Sequence, residues 1–168
     1  MYEVGQLIVY GASGVCRVEA LEHPSFAPKE MKDRLYYRLK PLYEQGILYA
    51  PVDTTVPIRP VLTRPQAEAL LAAVPQLQPE PCESHSPQLL SEHYKKFLQT
   101  YRCEDLLRLL KTIHAKTRRA GGRAMSKTDQ HFMRKAQEQL YRELAVALEC
   151  AEDEVKPLVA QALDADAQ

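Results

Sequence analysis

The first sixty residues alternate apolar and polar positions in short runs separated by turn residues, the pattern of strands with one buried face. Four runs stand out: Gln6 to Tyr10, Gly14 to His23, Arg34 to Tyr43 and Ile47 to Val52. In the second, Val15, Arg17 and Glu19 alternate with Cys16, Val18 and Ala20. Such runs predict a small barrel or curled sheet. Gly11 and Gly14 bracket a tight connection, where glycine tolerates a positive φ. The polar stretch Pro24 to Asp33, with two prolines, predicts a longer hairpin loop.

The period changes at Thr63. Thr63-Arg64-Pro65-Gln66 combines an N-cap, a proline in the first turn and a glutamine at the capping-box position, predicting a short helix with Ala67, Leu70, Leu71 and Val74 on neighbouring turns. From Pro75 to Pro87 the chain is proline-rich and poor in apolar mass, which reads as a semi-rigid linker. Beyond it the spacing is helical. Leu90, Tyr94, Phe97, Leu98 and Tyr101 share one face, followed by Leu106, Leu107, Leu110, Ile113 and His114. Ala120-Gly121-Gly122 breaks that pattern, and Ser126 with Asp129 three residues on starts a long helix carrying Phe132, Met133, Ala136, Leu140, Leu144, Ala147 and Leu148. An acidic helix from Glu152 to Leu163 closes the chain. The expected fold is α+β: a small N-terminal β module over 1–62, a short helix and proline-rich linker over 63–86, and an all-α bundle over 87–168.

Composition is that of a globular protein, 45% hydrophobic and 26% charged over 168 residues. No apolar run approaches the roughly 18 to 20 residues of a bilayer span. MYEVGQLIVY also lacks the marks of a signal peptide, so a cytoplasmic location without membrane contact is expected. Cys16, Cys82, Cys103 and Cys150 form no CxxC pair and read as reduced thiols. The net charge of zero hides an asymmetry. Residues 86–148 carry 13 basic and 6 acidic side chains, whereas 149–168 carry 1 and 6. Lys95, Lys96, Arg102, Arg108, Lys111, Lys116, Arg118, Arg119, Arg123 and Lys127 fall within two helices and the turn leading to the third. Such a block attracts a polyanion or is simply a solvated face, and charge alone does not choose.

Catalytic chemistry finds little support. The five histidines lie in different elements, with no GxSxG, HExxH or glycine-rich phosphate loop. Cys82-Glu83-Ser84-His85 supplies half of a zinc site at most. Glu152, Asp153 and Glu154 are more simply a helix N-terminus, where acids favour the dipole. Neither an enzyme nor a cofactor is expected.

Three ordered pieces carry a resemblance. They are Val4-Gly5-Gln6-Leu7-Ile8-Val9-Tyr10 with Gly11-Ala12-Ser13-Gly14-Val15 and Val18-Glu19-Ala20-Leu21; then Tyr36-Tyr37-Arg38-Leu39 with Gly46-Ile47-Leu48-Tyr49-Ala50-Pro51; then Arg123-Ala124-Met125-Ser126 with Asp129, Phe132, Met133, Ala136, Leu140 and Glu143-Leu144. Together they resemble the CarD family of bacterial transcription regulators, and the N-terminal half is also similar to the polymerase-binding domain of the transcription-repair coupling factor. The resemblance implies a Tudor-like β-barrel that docks on the β subunit of RNA polymerase and a helical module that touches promoter duplex DNA, stabilising the open complex, in a protein expected to act as a monomer. By the β-augmentation mode, Ile47, Leu48, Tyr49, Ala50, Pro51 and Val52 are the expected polymerase-binding residues. Leu90, Lys95, Lys96, Arg118, Arg119 and Arg123 are the expected DNA-binding residues.

Two departures stand out. Tyr49 takes a position where many relatives carry arginine. The family's tryptophan wedge is also missing, since the chain has no tryptophan, and counting back from Tyr94 puts Leu90 in its place. Leu90 is then either an apolar wedge at a base step or a core residue at a helix start. Two other readings stay open: a protein-only adaptor whose helices recruit a partner through the Leu90 and Phe97 region, and a hydrolase using a linker or helical histidine.

Overall fold

The structure is a computed structural model that describes residues 1–165. It divides into two compact units, Met1–Val61 and a helical unit starting at Leu62. The last three positions of the expected helical domain, 166–168, lie outside the described residues.

The described residues of the first unit form a five-stranded antiparallel sheet: β1 (Leu7–Tyr10), β2 (Gly14–Glu22), β3 (Tyr36–Pro41), β4 (Leu48–Pro51) and β5 (Ile58–Pro60), in the order β4-β3-β2-β1-β5. Pleat explains the core. Register sets Ile8 opposite Cys16, Val18 opposite Leu39 and Tyr37 opposite Ala50, and these six side chains form one buried cluster. Burial, helped by nearby Glu44, pushes the Cys16 thiol up to about 11, so it stays protonated. The alternation seen in β2 does not run its full length. Between Val18 and Ala20 the register slips by one residue, so the inward face passes from Cys16 and Val18 to Leu21. The sheet is therefore the expected β module with its ladder left open, β4 and β5 standing at its two edges.

β5 has no counterpart in the sequence pattern. Pro57 and Pro60 flank and end it, and proline is tolerated in sheets chiefly at edges, which is where β5 pairs with β1. Gly11 sits under the same corner with φ +45°, and a Cβ there would lie 2.7 Å from Val56 Cγ1.

The described residues of the second unit form five helices: α1 (Arg64–Ala73), α2 (Pro87–Leu98), α3 (Cys103–Arg119), α4 (Lys127–Leu148) and α5 (Glu152–Asp164). Both sequence caps are made. Gln66 N–H donates to Thr63 Oγ1 at 3.3 Å while Thr63 N–H donates to Gln66 Oε1 at 2.9 Å, and Asp129 N–H donates to Ser126 Oγ at 3.1 Å. The buried faces of α2, α3 and α4 join Val155 and Val159 of α5 in one core.

Residues 63–86, read from sequence as connecting chain outside the bundle, instead pack with it. Ala67 and Val74 are fully buried in the helical core, and the Arg64 guanidinium donates to Leu148 O at 2.6 Å at the end of α4. The proline-rich stretch lies across α3. Glu80 N–H donates to Thr112 Oγ1 at 3.0 Å, and Lys111 Nζ donates to Val74 O at 2.6 Å and Pro75 O at 2.8 Å. Proline removes backbone donors that would need partners, so such a segment can line a surface without secondary structure of its own.

Candidate RNA polymerase and nucleic-acid surfaces

In the β unit the expected contact segment sits where a partner strand could reach it, because β4 bonds to β3 on one side and is a sheet edge on the other. Its side chains divide by pleat. Ala50 is fully buried, and Leu48 and Val52 pack against the core. Ile47 is exposed, Tyr49 and Pro51 are half-buried, and these three occupy the alternate positions. Tyr49 stands opposite Arg38 of β3, and its ring meets that of Phe26 edge-on at 4.7 Å. Phe26 was not singled out in the sequence; only its position in the polar loop and its 63% exposure mark it as a surface aromatic. At the end of the segment an Arg34–Asp53 ion pair at 2.8 Å holds the loop after β4.

The helical unit sorts the basic block into two kinds. Arg108 is paired with Glu80 at 3.1 Å and Glu104 at 3.3 Å, and Lys111 caps two carbonyls, its pKa lowered by burial. Lys116 is paired with Asp129 at 2.9 Å. These three are structural. Lys95 and Lys96 on α2, Arg118 and Arg119 in the last turn of α3, Arg123 in the turn and Lys127 at the start of α4 are exposed, and none forms an ion pair among the described residues. Arg134 and Lys135, not singled out from the sequence, extend the set along α4, where they are exposed two turns beyond Ser126.

A buried carboxylate sets this arrangement. Asp129 is 3% exposed, and Tyr94 Oη donates to its Oδ1 at 2.6 Å while Lys116 Nζ reaches both oxygens. Burial would raise its pKa, but the hydrogen bonds from Tyr94, Lys116 and Ser126 outweigh it and hold the carboxyl below its ordinary value of 3.8. Burial, then the Asp129 contact, pushes the Tyr94 hydroxyl far up, so it remains a donor. One carboxylate thus ties α2, the end of α3 and the start of α4 together, fixing the turn that carries Arg118, Arg119 and Arg123.

The structure does not bring all six expected DNA residues to one surface. Leu90 is 6% exposed within the helical core, so its place is the core one, and a wedge at that position would require the bundle to open. Its neighbour Leu89 is the exposed leucine of α2, at 50%. Lys95 and Lys96 lie near the C-terminal end of α2, while the arginine turn lies beside its N-terminal end. Pro87, Leu90 and Arg119 line one cavity of about 420 Å³ that places the two there. The basic residues therefore form two groups.

Cys82 and His85 line the same cavity. No group of three His, Cys, Asp or Glu side chains suited to a metal ion occurs among the described residues. His93 Nε2 donates to Glu80 O at 2.6 Å, which makes it a fastener of the proline-rich stretch. No helix of the described residues is long and apolar enough to cross a membrane.

The first unit is thus a small five-stranded β module with its own core and an open β4 edge. Residues 2–62, nearly the whole of the first unit, match the family model of the CarD-like/TRCF RID domain. A comparison with curated proteins returned no match.

Proposed function

We propose that the chain is a transcription regulator that docks on the RNA polymerase β subunit through β4 and rests on promoter duplex DNA through its helical unit, prolonging the open complex. The observation that carries the first half is an open β4 edge inside a matched RNA polymerase-interacting domain. The second half rests on six exposed cations of the basic block, Lys95, Lys96, Arg118, Arg119, Arg123 and Lys127, that spend no charge on ion pairs within the described residues. Phosphate contacts of this kind position a protein on duplex without reading its sequence. With Leu90 in the core, the binding is phosphate-led. The protein acts as a cytoplasmic monomer and performs no catalysis.

The test is fluorescence anisotropy of a fork-junction promoter DNA with RNA polymerase holoenzyme, together with the lifetime of the open complex. Both increase with the protein present. If neither changes, the role is wrong.

The burial of Leu90 takes the apolar wedge off the surface and so leaves a second reading, a protein-only adaptor of polymerase or a repair translocase, whose partner then meets the exposed faces of the helices and not Leu90 and Phe97, both of which are buried. A pull-down that retains protein partners but no DNA after nuclease treatment supports that reading.

A further inference from the structure

The helical core is not filled to its rim where α3, α4 and α5 meet. A pocket of about 230 Å³ opens there, lined by Leu110 and Ile113 of α3, Met125 before α4, Met133 and Tyr141 of α4, and Leu163 of α5. Leu110 and Ile113 are buried, and the other four are half-buried and pack against the same core. None of these residues belongs to the basic block or to the β unit. Protein interiors are close-packed, with few voids larger than a water molecule, so a space of this size calls for an occupant.

Volume and lining set the body of that occupant. An apolar cavity of about 150 Å³ holds a benzene ring. One of about 230 Å³ therefore holds a single ring with a substituent and not two rings. Met125 and Met133 present thioethers, which adapt to irregular shapes and make favourable contacts with ring edges, and Tyr141 adds an aromatic wall.

Charge sets the head group. His114, Lys156 and Asp164 also line the pocket. Lys156 is exposed and forms no ion pair or hydrogen bond among the described residues. His114 Nε2 lies 3.0 Å from Asp164 Oδ1, yet it is covered from solvent and makes no hydrogen bond, so the two groups are close but out of line. A covered nitrogen of this kind carries a cost that a better-placed acceptor removes. Asp164, at the end of α5 with its side chain 67% exposed, is loosely held.

We infer that this pocket binds a small aromatic monocarboxylate. The ring lies among Met125, Met133 and Tyr141, and the carboxylate accepts from Lys156 Nζ and from His114 with the ring proton on Nε2, in the place that Asp164 fills poorly. His114 stands one turn before Arg118, and Met125 stands immediately before Ser126. The ligand therefore touches both ends of the segment that carries Arg119 and Arg123.

The probe is benzoate, titrated onto the full chain with its methionine methyls labelled with carbon-13. The chain has four methionines. Met125 and Met133 line the pocket, while Met1 and Met31 belong to the first unit and serve as internal references. Ring currents shift the Met125 and Met133 methyls saturably and leave Met1 and Met31 in place. Benzoate has about nine non-hydrogen atoms, which sets its Kd in the roughly millimolar range. Neutral benzamide binds about fivefold more weakly, and benzylamine, whose cation meets Lys156, more weakly still. Lys156→Gln weakens benzoate about fivefold and removes its advantage over benzamide, whereas Asp164→Asn, which takes away a competing carboxylate, tightens it. Both substitutions are on the surface, and circular dichroism melts verify the fold. No saturable shift of Met125 and Met133 up to about 20 mM benzoate, well past that Kd, overturns the inference. Equal affinity for benzoate and benzylamine overturns it too, as does wild-type benzoate binding by Lys156→Gln. Neither polymerase nor DNA enters the experiment, so its outcome is independent of the function proposed above.

Discussion

Replacing Asp129 with alanine removes the one carboxylate on which α2, α3 and α4 converge. Tyr94, 1% exposed, loses the acceptor of its hydroxyl, which costs about 1–3 kcal/mol for a buried group left unpaired. The first turn of α4 loses its only acid, worth about 0.3–1 kcal/mol against the helix dipole. Lys116 contributes less than its 2.9 Å contact suggests. Its side chain is 45% exposed and can turn to water, so its share is that of a surface pair, about 0–1 kcal/mol. The expected loss is about 2–4 kcal/mol, read as a fall in the urea midpoint at unchanged slope by far-UV circular dichroism at neutral pH. For a helical unit of this size that is a drop of roughly 10–20 °C in Tm. Asp129→Asn keeps an acceptor for Tyr94 and so loses less. The pH dependence follows from the lowered pKa of Asp129. A carboxyl depressed in the folded state contributes stability that is present above its unfolded value of 3.8 and lost as pH falls through the folded one. Below about pH 4 the wild type therefore loses stability faster than Asp129→Asn. An alanine variant within about 1 kcal/mol of wild type, or parallel acid profiles for wild type and asparagine, refutes the account of this carboxylate.

Leu90→Ala costs about 2–5 kcal/mol in urea titrations, as a core truncation does, whereas Leu89→Ala leaves the midpoint within about 0.5 kcal/mol; equal effects would contradict the placement of Leu90. Glutamates at Lys95 and Lys96 lower the slope of log affinity against log salt for duplex DNA by about two, the two counterions no longer released, in anisotropy titrations. An unchanged slope places those lysines off the DNA. Gly11→Ala lowers the melting temperature of the β unit, because the new methyl meets Val56 at 2.7 Å and the residue must hold φ +45°; an unaltered melt would show that the corner relaxes freely.

Local chemistry was legible in the sequence, and long-range chemistry was not. Thr63 with Gln66 and Ser126 with Asp129 announce helix starts because each cap closes within four residues, and both are made. The core of the sheet reads out of alternation until Glu19, where an inserted residue flips the faces and no local signal marks the slip. β5 escaped because prolines that forbid a central strand permit an edge one. The proline-rich stretch looked like a spacer because its anchors, Thr112 and Lys111, lie more than thirty residues further on. Among the site residues, Lys95, Lys96, Arg118, Arg119 and Arg123 could be placed on the surface by helical spacing. Leu90 could not, since a leucine at a helix start serves a core or a surface equally until the other helices pack around it.

Because α1 and the turn after it supply Ala67 and Val74 to the helical interior and Arg64 caps the Leu148 carbonyl at the end of α4, the compact piece of the second half starts at Leu62 and not at Pro87. A fragment trimmed to the boundary read from periodicity alone, 87–168, lacks α1, presents an open apolar trough and comes out of solution.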